Sequence, residues 1–82
     1  MKTVKSITHK KLGRFKAHGL AYCDDGNICI EERLRGQRHL YVLVHEIVHI
    51  QNPTWSEIKV EGHSKEMADL LWEQGYRRVD LT

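Results

Sequence analysis

His45, Glu46 and His49 form the pattern H-E-x-x-H inside the stretch LYVLVHEIVHIQN at 40–52. On an α-helix, residues four apart share a face, so both imidazoles can reach one metal ion. Glu46 follows His45 by one position and is rotated from it by roughly 100°. Its carboxylate can therefore contact a water beside the ion without being a ligand. A zinc hydrolase needs this arrangement: imidazoles to hold the metal and a carboxylate to take a proton from water. The setting is unusual for a chance match. Leu40, Tyr41, Val42, Leu43, Val44, Ile47, Val48 and Ile50 surround the motif. A helix apolar almost all round is expected to be buried. Polar side chains inside it then need partners, because burying one unpaired costs about 2–7 kcal/mol on transfer scales.

A catalytic zinc site usually has three protein ligands and an open position for water. Glu57, Glu61, His63, Glu66 and Asp69 follow the motif. At about 100° per residue, Val60, His63, Met67, Leu70 and Leu71 fall within one stripe of a second helix. That stripe is expected to face the metal helix, with the four acids pointing elsewhere. His63 is therefore the expected third ligand of a single Zn²⁺ ion. Glu61 is the reserve, should Gly62 bend the helix. Tyr76, Tyr41 and His39 are candidate donors to an oxyanion, with nothing in the pattern to choose among them.

These residues must be positioned by a small scaffold. Val4 and Ile7 in TVKSITH at 3–9 suggest a short strand, at an edge given the flanking lysines. A second β segment runs from Phe15 to Cys23, interrupted by Gly19. Asp24-Asp25-Gly26-Asn27 is a turn signal, and Ile28 and Ile30 share a face of the strand that follows. Residues 17–23 and 27–31 thus read as a hairpin. The metal helix should run from about Gln37 to Gln51, stopped by Pro53. Thr54 and Glu57 resemble a capping box that opens a second helix. Gly62 is expected to break or bend it, and Gly75 to cap its end. Arg77 to Thr82 reads as a last strand or packed coil. The fold class is α+β: a small antiparallel sheet of about three strands packed on a buried H-E-x-x-H helix and a C-terminal helix.

Eighty-two residues make one domain, 1–82, near the lower end of comfortable independent stability. A net charge of +2 is too small to argue for nucleic acid by itself. The lysine-rich start, Lys2, Lys5, Lys10, Lys11, Arg14 and Lys16, reads first as a solvated face. No apolar run is long enough to span a membrane, and the first residues lack the apolar core of a signal peptide. A cytoplasmic location is the expectation. Cys23 and Cys29, spaced C-x5-C, do not match a zinc knuckle and read as small buried residues rather than ligands.

His45-Glu46-x-x-His49, followed by Gly62-His63-Ser64 and Met67, resembles the core of SprT-like zinc metalloproteases. Gly26 to Ile30 and Leu34 resemble the strand before the motif in that group. They resemble equally the minimal gluzincin-like peptidases of phages and mobile elements, and the ImmA/IrrE-type proteases. Ser56-Glu57, Val60, Leu70-Leu71-Trp72 and Gly75-Tyr76-Arg77 are similar to the ending of small phage-type members. The resemblance covers about residues 20–77. Gluzincin-like members use a glutamate as third ligand, whereas position 63 is histidine. Met67 stands where an aromatic is commoner.

The resemblance implies a zincin-like core and a zinc-dependent metallopeptidase. Peptide bonds would be hydrolysed by a zinc-activated water, with Glu46 as general base and a protein or peptide as substrate. It also implies a strand beside the site that holds the substrate by strand addition, with 27–31 as the candidate edge. The alternative is a non-catalytic or structural zinc-binding module. SprT-like proteins act on DNA-bound proteins, so a nucleic-acid-bound partner is a further expectation for the basic N-terminal part.

Overall fold

The computed structural model describes residues 2–13, 18–22 and 25–79. The expectations for Arg14, Phe15, Lys16, Cys23 and Asp24, and for 80–82, lie outside these residues. The elements are β1 (Ser6–Lys10), β2 (Gly19–Tyr22), β3 (Asn27–Glu31), α1 (Gly36–Gln51) and α2 (Glu57–Glu73). This is the α+β architecture read from the pattern, with three strands and two helices among the described residues.

The sheet differs from expectation in one respect. Its order is β1-β3-β2, and β2 pairs with β3 antiparallel, with Gly19 opposite Ile30 and Tyr22 opposite Asn27. β1, however, pairs with β3 in parallel, from Ser6–Asn27 to Lys10–Glu31. The sheet is therefore mixed rather than antiparallel. The central strand is β3, so 27–31 is not an edge. Ile28 and Ile30 of this central strand are fully buried, packed with Val42 and Ile50 of the 36–51 helix, and Cys29 is nearly so. β1 takes the outer place that its lysines suggest. Gly26 closes the sheet with φ +73°, and a Cβ there would meet the Thr3 carbonyl oxygen at 2.5 Å. Only glycine suits that backbone.

α1 lies between two layers. Val42 and Ile50 pack with Ile28 and Ile30 of the sheet, while Val44 and Val48 pack with Val60 and Ala68 of α2. Full burial of each of these valines and isoleucines is worth about 1.5–3 kcal/mol. The helix ends at Asn52, whose backbone N–H and side-chain amide both donate to the Val48 carbonyl. α2 opens on Ser56, whose hydroxyl accepts from the Lys59 N–H at 3.2 Å; the cap is thus Ser56, not Thr54. It runs through Gly62 without a break. Gly75 N–H donates to Trp72 and Tyr76 N–H to Leu71, which is the Schellman pattern, with φ +88° at Gly75. Residues 76–79 form no strand. No helix among the described residues is long and apolar enough to cross a membrane.

Glu31 ties the sheet to the preceding segment. Its carboxylate accepts from the Leu12 N–H at 2.9 Å, and from the Arg33 N–H at 2.8 Å and the Arg33 guanidinium at 3.1 Å. The Arg33 bonds first, and then the Leu12 N–H, hold its carboxyl down to about 2. A depressed carboxyl stabilises the fold fully above its ordinary value near 4.5, and the contribution is lost as pH falls towards 2. Glu31→Gln should therefore lower the urea midpoint at neutral pH, and the gap to wild type should narrow on acidification through that window. A gap independent of pH would mean that the charge is not what holds this corner.

Candidate metal centre

His45 and His49 stand one turn apart on α1, their rings edge to face with centroids 4.9 Å apart. Both Nε2 atoms turn towards α2. Glu57, the first residue of that helix, answers them. One carboxylate oxygen lies 3.0 Å from His45 Nε2 and the other 2.8 Å from His49 Nε2. One donor atom from each of the three residues lies within 4.8 Å of the other two. The histidines are half-buried and Glu57 is exposed.

The sequence pattern brings His63 to this place, and the structure does not. The buried positions of α2 are Val60, Ser64 and Ala68, with Leu71 packed beside them. Met67 and Leu70, which the apolar stripe assumed to be inside, are 46% and 53% exposed. Small residues at 64 and 68 let the helices approach closely, so the contact selects size over hydrophobicity. Ser64 is fully buried although its hydroxyl has no partner. The true stripe is centred near Ser64, and Glu57, seven residues before it, lies within about 20° of the same direction. His63, next to Ser64, is turned away by about 100°. It is exposed, with its ring 4.8 Å from that of Trp55, whose indole also carries Lys59 Nζ at 4.2 Å. Glu61 is likewise exposed and outside the donor group.

Glu46 points to the other side of α1, towards the sheet. It is 7% exposed, with a carboxylate oxygen 3.9 Å from His45 Nε2. Burial pushes its carboxyl up from the ordinary range; Glu57 adds to this and His49 opposes it. Gly19 makes room for it. A Cβ at Gly19 would stand 2.8 Å from Val42 Cγ1 and 3.0 Å from Glu46 Cγ. The glycine that interrupts the β pattern thus allows β2 to pass directly against the glutamate.

Tyr41 supports His45 from the preceding turn, its hydroxyl 3.2 Å from Nδ1. While Nε2 carries a proton towards Glu57, Nδ1 accepts from the tyrosine. With Nε2 given over to a cation, the proton sits on Nδ1 and the tyrosine oxygen accepts it. One side chain serves both states. Burial first, then Glu61 and Glu57, raise the Tyr41 pKa, which keeps the hydroxyl protonated. Of the other oxyanion candidates, Tyr76 is 65% exposed and His39 belongs to a separate cluster with His9.

No family model, curated protein or solved structure gives a significant match to the chain. The donor set must therefore be judged by its own chemistry. Two imidazole nitrogens and a carboxylate oxygen suit zinc and other divalent ions. Tetrahedral ligands about 2.0–2.1 Å from zinc lie about 3.3 Å apart. The two short contacts are made by different oxygens of Glu57, so the carboxylate bridges the rings as it stands. One donor atom from each residue lies within 4.8 Å of the others, and Glu57 is exposed, so a small shift of its side chain would let the three hold one ion.

Glu57→Ala should weaken zinc binding about 100-fold or more, since even supporting partners of ligands are worth 10–100-fold. His63→Ala should leave it within about threefold of wild type, both read by competition with a chromophoric chelator. The reverse ranking would return the third position to His63. Tyr41→Phe should cost about tenfold in the same assay; no change would remove Tyr41 from the centre.

Proposed function

We propose that the protein is a zinc-dependent metallopeptidase whose ion is held by His45, His49 and Glu57, with Glu46 as general base. The observation that carries this reading is the convergence of two imidazoles and one carboxylate on a single point, beside a second, buried carboxylate. Structural zinc sites are closed by four protein ligands, and among the described residues this group has three. That favours chemistry over a purely structural ion. The glutamate donor accords with the gluzincin-like side of the resemblance more than with a third histidine.

A divalent ion bound there supplies Lewis acidity, acidifying a water beside it and polarising a substrate carbonyl. The chain supplies the proton traffic. Glu46, made more basic by burial, takes the proton of the attacking water and returns it to the leaving amine nitrogen. Tyr41 fixes the ring of His45, and so the direction in which Nε2 points. With β3 central, β2 is the candidate substrate strand: among the described residues no strand pairs with its outer side, and its Gly19 lies against Glu46. An extended peptide added to that rim would run past the glutamate.

Glu46→Gln should retain zinc at wild-type affinity yet lose about 10²–10⁴-fold in turnover of a denatured protein substrate. Equal turnover by the zinc-loaded wild type and variant would rule out the peptidase reading.

A further inference from the structure

A second concave site lies between the start of α1 and the end of α2. Its volume is about 620 Å³, and none of His45, Glu46, His49 or Glu57 lines it. Leu34, Leu40, Leu43 and Trp72 give it apolar walls, while Arg35, Arg77 and Arg78 bring three guanidinium groups to it. Among the described residues, Glu32 is the one carboxylate in the lining.

Among the described residues, none of these arginines has a carboxylate partner. Arg35 donates to the Glu32 and Leu34 carbonyls. Arg77 donates to the Trp72 and Tyr76 carbonyls and lies 3.4 Å over the Trp72 ring. Arg78 Nη1 stands 3.5 Å from Nε2 of His39, a residue only 5% exposed. The same Nε2 lies 3.0 Å from His9 Nε2, the two rings nearly parallel, 18° apart, and meeting edge to edge. A guanidinium can only donate, so His39 Nε2 accepts and the proton between the imidazoles belongs to His9. Burial and the Arg78 charge lower the pKa of both rings. Arg78 is thus held by a neutral ring where an anion would suit it better. The first turn of α1 is also uncompensated: it has no side-chain cap and no acid, and Gly36 lines the cavity.

We propose that this cavity binds a small amphipathic anion, with a carboxylate or phosphate head among Arg35, Arg78 and the start of α1. An apolar tail would lie against Leu40, Leu43 and Trp72. The volume falls in the range of small-molecule sites, about 300–1,000 Å³. Uncompensated cations around apolar walls select a ligand with both properties: an alcohol of the same length lacks the head, and inorganic phosphate lacks the tail.

The test uses the zinc-loaded full chain, titrated with decanoate, decyl phosphate, 1-decanol and inorganic phosphate, and followed by tryptophan fluorescence and calorimetry. At least one of the two decyl anions should bind saturably with one site, and the preferred one names the head group. Decanol and inorganic phosphate should each bind about tenfold more weakly or worse. The double variant Arg35→Gln, Arg78→Gln should weaken the anion by about 10–100-fold, with zinc affinity unchanged as the sign of an intact fold. Leu43→Gln, if it folds with unchanged zinc affinity, should weaken it too. Absence of saturable anion binding, equal binding of decanol, or an unaffected double arginine variant would each overturn the proposal.

Discussion

The candidate metal centre depends on one bridge between two helices. Two imidazoles one turn apart on α1 meet both oxygens of a single carboxylate at the start of α2. α1 is held on one side by the sheet and on the other by α2, so its polar residues are presented in two directions at once. His45 and His49 look towards α2, and Glu46 looks towards the sheet. A helix enclosed in this way has little freedom to rotate, and the three side chains keep their mutual angles because the layers around them do.

The helix that carries the motif was legible almost to the residue. A continuous apolar surround marks a buried helix, and the observed span, Gly36–Gln51, differs from the expected one by a single residue at its start. The end of α2 was equally clear, because Gly75 has the one conformation that helix termination favours. The phase of α2 was not. Hydrophobic periodicity finds a buried face by its large apolar residues, and here the interface is made with Ser64 and Ala68 while Met67 and Leu70 face outwards. A shift of under one residue in phase was enough to turn His63 away and bring Glu57 to face the imidazoles. The signal that could have corrected it is the pair of small residues four apart, which marks close helix packing.

The sheet shows the same division. Strand positions and the hairpin turn follow from local chemistry, and the β2–β3 pairing is as expected. The parallel pairing of β1 with β3 is a non-local choice. It joins Ser6–Lys10 to Asn27–Glu31 across the intervening β2, and no short window of sequence expresses that partner or its direction. Gly19 read as a flaw in a strand; in three dimensions it is the clearance that Glu46 requires.

Glu57 holds two positions at once. It faces the imidazoles, and it is the acidic residue in the first turn of α2, where a negative charge offsets the positive end of the helix dipole. A cation that engages its carboxylate takes up charge on which the opening turn of that helix also draws. Any ion held there would thus draw on the same carboxylate that offsets the helix dipole, at the point where the connection 52–56 delivers the chain into α2.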